Sequence, residues 1–161
     1  MELKSEYAFT LYVKLAEPID FGNTFNGDRR LIPIVGGHFE GPKLKGEILP
    51  GGGDWNAVRT DGVVHVYAKY SLRTHDGVPI VITNEGYGRS TQEQMKAVFA
   101  GDAPSTPQDI EMARKHWYTK TWPRFEVQHG QHDWLNKSCF VGDLILPMEP
   151  NAVQIDVYEL L

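Results

Sequence analysis

The sequence predicts an all-β protein built from short antiparallel strands with one helical insertion, and two observations support the β class and a third the insertion. Apolar residues alternate with polar ones in several short segments, which is the period of a half-buried strand. The 16 glycines and 10 prolines concentrate between those segments, where hairpin turns are expected. Good helix formers replace the alternating pattern in one interval, from Ser90 to about Trp117.

The clearest strand runs from Tyr7 to Leu15, where every second residue is apolar or aromatic. Seven further candidates follow along the chain, at 31–35, 43–49, 63–72, 78–84, roughly 120–127, 138–141 and 153–159. Asp61-Gly62 and Asp76-Gly77 have the composition of tight hairpin turns. We interpret Gly51-Gly52-Gly53 as the turn that closes the third strand. About eight strands linked by hairpins are therefore expected.

The interval from Ser90 to Trp117 predicts two short helices. Helix formers occupy 92–97, and Thr106-Pro107 supplies an N-cap hydroxyl followed by proline at the first helical position. An insertion of this length is often functional. It could form a lid over a ligand site, a plug against the outside of the sheet, or a surface excursion.

Composition limits the class of protein. The chain has 161 residues and 18.2 kDa, with 41% hydrophobic and 23% charged residues, which is typical of a single soluble globular domain spanning 1–161. No apolar stretch approaches the ~20 residues of a membrane-spanning helix, and no export signal begins the sequence. The net charge is -5 without a basic run, which argues against nucleic acid and anionic membrane as partners. One cysteine excludes an internal disulfide, so we expect a cytoplasmic protein.

Polar residues that share the apolar face of a predicted strand are candidate site residues. Tyr70 lies on the same face as Leu72, and Asn84 follows Ile82 on its face. Glu40 would join them if the bend after it preserves the register. Such groups can bind a ligand or move a proton when they converge, although a satisfied structural network is the alternative.

We expect neither a metal nor a cofactor. His129 and His132 are the only close histidine pair, and no carboxylate or cysteine stands at the spacing of a zinc site. The triple glycine lacks the lysine and helix that would follow it in a phosphate-binding loop. His38 is a better candidate for acid–base chemistry, because an imidazole titrates near neutral pH.

Several runs of residues resemble one protein family. The longest is GGHFEGPKLKGEILPGGGDW at 36–55, and shorter runs are GDRR at 27–30, AKYSLRTHDG at 68–77, NEGYGR at 84–89, PRFE at 123–126 and WLNKS at 134–138. Together they resemble the domain of unknown function 3237 family, also called uncharacterised protein family 0311, from about Phe9 to Tyr158. The resemblance implies a compact, closed antiparallel β-barrel similar to allene oxide cyclase and the lipocalins, without an assigned general activity. The segment 90–117 is longer here than is usual in that family.

An eight-stranded barrel leaves an interior that side chains fill or that holds one small ligand. Our leading hypothesis is a cofactor-independent lyase, isomerase or cyclase acting on an aromatic or apolar oxygenated substrate inside the barrel. Asp54 or Glu40 would be the acid or base, and Tyr70 with Arg89 or Asn84 would stabilise an enolate-like oxyanion. We favour Asp54, because it sits on a predicted glycine loop beside Trp55, whose ring would restrict water.

The substrate-binding residues predicted with this hypothesis are polar and aromatic: His38, Trp55, Asn84, Trp122, Trp134 and Asn136. Aromatic side chains make up 11% of the chain, which is enough to line a pocket for an aromatic or polycyclic molecule. Two alternatives remain open. The same pocket could belong to a carrier or sensor of small apolar ligands. Alternatively, the protein could be a purely structural or homo-oligomer-forming barrel whose inward polar groups form a network.

Overall fold

The computed structural model of the chain describes residues 1–99, 104, 106–146 and 149–161. Its ten strands are β1 (Ser5–Leu15), β2 (Ile19–Thr24), β3 (Gly27–Glu40), β4 (Gly46–Val58), β5 (Val64–Thr74), β6 (Pro79–Arg89), β7 (Tyr118–Thr121), β8 (Arg124–Val127), β9 (Phe140–Ile145) and β10 (Ala152–Leu160). Helices α1 (Gln92–Phe99) and α2 (Pro107–His116) lie between β6 and β7, and a 3-10 helix (Asp133–Asn136) lies between β8 and β9.

Eight of these strands close into an antiparallel barrel. Their order is β1, β10, β9, β7, β6, β5, β4 and β3, and β3 pairs back with β1. The other two strands pair beside members of this ring: β2 pairs with the first part of β3, and β8 pairs with the first part of β6. β8 contributes Phe125 and Val127 to the core. The predicted closed barrel of about eight strands is confirmed.

Both predicted helices are present. The N-cap of α2 forms as expected, since the Thr106 hydroxyl oxygen accepts a hydrogen bond from the Asp109 N–H at 3.1 Å and Pro107 begins the helix. Just after α2, the Trp117 indole N–H donates to the Leu144 carbonyl oxygen at 2.8 Å. This bond ties the end of the helical insertion to β9. None of the described helices is long and apolar enough to span a membrane.

The turn predicted at Gly51-Gly52-Gly53 is wrong, because these residues lie within β4. The register between β4 and β5 shifts between Leu49 and Gly53, so the glycines form a β-bulge and the strand continues. A Cβ at Gly52 would stand 2.3 Å from the Cβ of Tyr70, which explains why a side chain is excluded there. β4 therefore carries inward-facing residues on both sides of the bulge.

Two other strand predictions need correction. The strand predicted at 120–127 is divided into β7 and β8, because Pro123 has no N–H to donate to a ladder. β2 and the 3-10 helix were not predicted. In β2, exposed residues fill most positions and the alternation that marks a half-buried strand is missing.

Apolar side chains fill one end of the barrel. The Phe125 ring contacts the rings of Phe9 and Phe140, with centroids 5.9 Å and 5.0 Å apart. Leu135 of the 3-10 helix is buried in the same cluster, so this helix closes that end. The opposite end, where β5 begins and β6 ends, contains a cavity.

Candidate functional site

The barrel contains a cavity of about 550 Å³ at the end where β5 begins. Met95 of α1 and Trp117 line it together with the barrel strands, so the helical insertion contributes to its wall. Other apolar lining residues include Ile32, Val64, Val66 and Leu144. A volume of this size falls in the ~300–1,000 Å³ range of small-molecule sites.

Asp54 supplies a carboxyl group to this cavity. Its two oxygens accept hydrogen bonds from the Tyr67 backbone N–H at 2.9 Å and from the Asn56 side-chain amide at 3.2 Å. Burial raises the pKa of Asp54, and it outweighs the opposing effects of these two hydrogen bonds and of the charges of His65 and Arg29. The site therefore holds an oriented carboxyl group whose proton affinity is increased.

Tyr70 and Asn84 share the barrel interior, as the parity of their strands predicts. Their exposed fractions are 4% and 1%. Ala68 of β5 pairs with Asp54 of β4 on one side and with Asn84 of β6 on the other, and Tyr70 is two residues further along β5. The side chains of Tyr70 and Asn84 therefore lie inside the barrel next to the cavity. Burial, and to a smaller extent the charge of Asp54, raises the pKa of Tyr70. Its hydroxyl is therefore protonated at neutral pH and available as a hydrogen-bond donor.

Five buried side-chain polar atoms have no hydrogen-bond partner in the described part of the chain: Asn56 Oδ1, Tyr70 OH, Asn84 Oδ1, Thr119 Oγ1 and Thr121 Oγ1. They belong to four strands that follow one another in the barrel, β4 to β7. Buried polar groups in proteins are nearly always paired, and an unpaired one costs about 1–3 kcal/mol. Their concentration inside one barrel is costly for stability, which points to a functional interior.

Glu40 and His38 do not point into the barrel as predicted. Phe39, between them, is the buried residue, so its two neighbours face outward. The register shifts between Ile34 and His38, and 41–45 lie outside the strands. Parity counted backwards from β4 therefore does not apply to β3. His38 instead stacks on Tyr12, with ring centroids 4.6 Å apart.

Trp55, Trp122 and Arg89 also lie on the outer surface of the barrel. Trp55 is 45% exposed and stacks on Phe21, so it cannot shield Asp54, which faces the other side of β4. Trp122 contacts the Tyr87 ring edge-on. The guanidinium of Arg89 lies 4.3 Å from the centre of the Tyr118 ring. The structure brings none of the three to the cavity. Trp55 and Arg89 lie on the outward faces of β4 and β6, because odd and even residues of a strand face opposite sides, and Trp122 lies between β7 and β8.

Trp134 and Asn136 lie at the filled end of the barrel, away from the cavity. Trp134 packs against Phe140 in the core. The Asn136 side chain accepts a hydrogen bond from the Val127 N–H and donates one to the Val127 carbonyl oxygen, both at 2.9 Å. Both residues therefore connect the 3-10 helix to the barrel.

The close histidine pair does not converge. The His129 side chain is 99% exposed, whereas His132 is buried and its Nε2 lies 3.1 Å from both oxygens of Asp76. The contact between His132 and Asp76 links the loop after β8 to the hairpin between β5 and β6.

Asn56, Thr119 and Thr121 were not predicted as site residues. The strand pattern contained a signal for each of them. Continuing the inward parity of Ile48 through the glycines leads to Asp54 and Asn56, and the threonines alternate on the inner face of β7. The alternation from Ile48 to Asn56 was not recognised because it passes through the three glycines, and glycines are as typical of turns as of bulges.

The chain was compared with known sequences and structures. A family profile described as "Protein of unknown function (DUF3237)" matches residues 3–160. A UPF0311 protein of Rhodopseudomonas palustris is 31% identical over 159 residues, covering 99% of this chain and 97% of the relative. A UPF0311 protein of Clostridium acetobutylicum is 32% identical over 141 residues, covering 87% of this chain and 84% of the relative.

Solved structures agree with the fold. A crystal structure of a conserved protein from Rhodopseudomonas palustris has a TM-score of 0.88 and 31% identity, covering 100% of this chain and 99% of its own. A β-barrel-like protein from Acinetobacter baumannii has a TM-score of 0.81 and 32% identity, covering 100% and 98%. A protein described as an enzyme from Penicillium herquei shares the fold at a TM-score of 0.71 and 17% identity, covering 100% and 96%. On its sequence and its barrel, the chain belongs to the DUF3237 (UPF0311) family.

Proposed function

We propose that the protein is an enzyme that transfers a proton on an oxygenated small molecule held inside the barrel, with Asp54 as the acid–base residue. The observation that carries the proposal is the Asp54 carboxyl group, which reaches the cavity while protein surrounds it and burial raises its pKa. A carboxyl group whose pKa is raised toward neutral pH is suited to accept a proton and return it.

The reaction class follows from the groups around Asp54. Its carboxylate would take a proton from the carbon next to a substrate carbonyl, and the electron pair of the broken C–H bond would move to the carbonyl oxygen. The hydroxyl of Thr119, which lines the cavity, or that of Tyr70 beneath it would stabilise this enolate by donating a hydrogen bond. Returning the proton to another atom completes an isomerisation, and loss of a leaving group would complete a lyase reaction.

The apolar part of the cavity supports an aromatic or aliphatic body for the substrate. Ile32, Val64, Val66, Leu144 and Trp117 provide this surface. Polar groups come from β4 and β7, and also from Arg30 of β3 and from Glu17 and Glu149. The Penicillium herquei protein of the same fold is described as an enzyme, so catalysis within such a barrel is compatible with this proposal.

The experiment is hydrogen–deuterium exchange at the α-carbon of 1-tetralone, a cyclic aromatic ketone, followed by NMR in D₂O. The protein is expected to accelerate the exchange, and Asp54→Asn to reduce the acceleration by about 10²- to 10⁴-fold while leaving tetralone affinity nearly unchanged. Asp28→Asn is the matched control, because Asp28 is exposed on β3 and lies outside the cavity. Its side chain accepts a hydrogen bond from the Asn23 amide at 2.8 Å.

The second candidate function is a carrier of small apolar ligands. Two observations favour it: much of the cavity wall is apolar, and both oxygens of Asp54 already accept hydrogen bonds from the protein. Tight binding of tetralone with an exchange rate equal to that of Asp54→Asn would support the carrier and contradict the enzyme. If other cyclic aryl ketones also bind without exchange, proton transfer next to a carbonyl is excluded as the activity.

A further inference from the structure

Asn56 is buried on the inner face of β4, two residues from Asp54. Its exposed fraction is 3%. The amide nitrogen donates to Asp54 Oδ2 at 3.2 Å, whereas the amide oxygen is buried and has no partner among the described residues. The nitrogen of this amide therefore binds Asp54, and its oxygen is free to accept a hydrogen bond.

The two protonation states of Asp54 require different partners. An ionised carboxylate only accepts hydrogen bonds, whereas a carboxylic acid carries one O–H that must donate. The Tyr67 N–H on Oδ1 is a donor in both states, so it cannot accept the acid proton. The unpartnered oxygen of Asn56 is an acceptor, and a half rotation of the amide exchanges its two ends without a change of volume.

We propose that Asn56 is the positioning residue of Asp54, and that its side-chain amide rotates by half a turn when the carboxyl group is protonated. In one orientation the amide donates to the carboxylate, and in the other it accepts from the carboxylic acid. This inference rests on the proposed function for its purpose, since an acid–base residue must be stable with and without its proton. The amide would thereby lower the cost of both states of the reaction cycle.

Other charged or titratable groups lie near Asp54 or line the same cavity. Arg29 and Arg30 lie on β3, with Arg30 paired across the strands to Asn56. His65 and Tyr70 lie on β5. Glu17 and Glu149 line the mouth of the cavity. The hydrogen bonds to the two oxygens of Asp54 come from the Tyr67 N–H and the Asn56 amide.

The test is an NMR titration of the ¹³C-labelled carboxyl group of Asp54 without any substrate. Asn56→Leu keeps the approximate size but removes the hydrogen bond to the carboxylate and the one to the carboxylic acid. Because the hydrogen bond to the charged form is the stronger of the two, the midpoint of Asp54 is expected to move upward, by about one pH unit or less. Asn56→Thr is expected to restore most of the original midpoint, because a hydroxyl both donates and accepts. Thr121→Val is the control: it removes a buried, unpartnered hydroxyl that does not line the cavity, and it should leave the midpoint unchanged.

The rotation itself has a separate readout in the wild-type protein. The NOE contacts of the Asn56 N–H₂ signals, which a rotation of the amide would change, are expected to switch with the same midpoint as Asp54 and to lose this pH dependence in Asp54→Asn. An Asp54 midpoint that is identical in Asn56→Leu and wild type, or Asn56 NOE contacts that do not follow Asp54, would overturn the inference. A titration that behaves as expected in a protein that exchanges no ketone proton would instead reject the proposed enzyme alone.

Discussion

Replacing Asp54 by Asn is expected to make the protein more stable at neutral pH. The substitution removes a charge that the barrel desolvates, whereas the side-chain oxygen of the new amide can still accept from the Tyr67 N–H. The new N–H₂ can donate to the unpartnered oxygen of Asn56 once the Asn56 amide turns. The neutral amide therefore retains both hydrogen bonds, and the free-energy cost of burying a charged carboxylate is removed.

The gain should depend on pH in a defined direction. Because burial raises the pKa of Asp54 in the folded state, the folded protein binds this proton more tightly than the unfolded chain. The corresponding stability is fully present below the unfolded pKa of about 3.9 and is lost as the pH rises through the folded pKa. The free-energy difference between Asp54→Asn and wild type is therefore expected to grow through this window and then stay constant.

The size of the effect follows from the pKa. Each unit by which the folded pKa exceeds the unfolded one costs about 1.4 kcal/mol at higher pH. For a chain of this size, 1 kcal/mol corresponds to about 2–4 °C in Tm, so one unit is worth about 3–6 °C. Urea unfolding of Asp54→Asn, wild type and the control Asp28→Asn at pH 4.5, 6 and 8 measures the difference. The reasoning is refuted if Asp54→Asn is less stable than wild type at pH 8, or if its advantage is the same at every pH.

Three further substitutions test the packing and hydrogen bonding of the barrel. Gly86→Ala should destabilise the protein by about 1–3 kcal/mol or more, because its Cβ would lie 2.1 Å from the Lys120 carbonyl oxygen. Gly88→Ala should cost less, since there the nearest atom is the Thr119 hydroxyl oxygen at 2.9 Å; equal Tm values would contradict this. Asn136→Ala should cost about 1–3 kcal/mol by leaving the two backbone groups of Val127 without their partner. It should not change tetralone affinity, and weaker binding in a fully folded variant would return Asn136 to the ligand site.

Much of the fold could be predicted from local pattern. The alternation in β1, β5 and β6 indicated strands, and the parity within β5 and β6 placed Tyr70 and Asn84 inside. Both side chains lie on uninterrupted stretches of strand, where the alternation of faces is a property of the backbone itself. The N-cap and proline of α2 were equally local, and so they were predicted correctly.

The site depended on relations that the linear pattern does not contain. The triple glycine is compatible with a turn or with a bulge, and only pairing with β5 decides that β4 continues to Asp54 and Asn56. The orientation of Glu40 likewise depended on the register between β3 and β4.

The sequence by itself determined most of the strands, the helical insertion and the faces of single uninterrupted strands, because these arise from backbone geometry and neighbouring residues. Only the tertiary structure decided which polar side chains meet. Closing the barrel brings β4 and β7 around one cavity, although Asn56 and Thr119 are far apart in the chain. The raised pKa of Asp54 has the same origin, since it comes from burial inside the closed barrel and not from the adjacent Trp55.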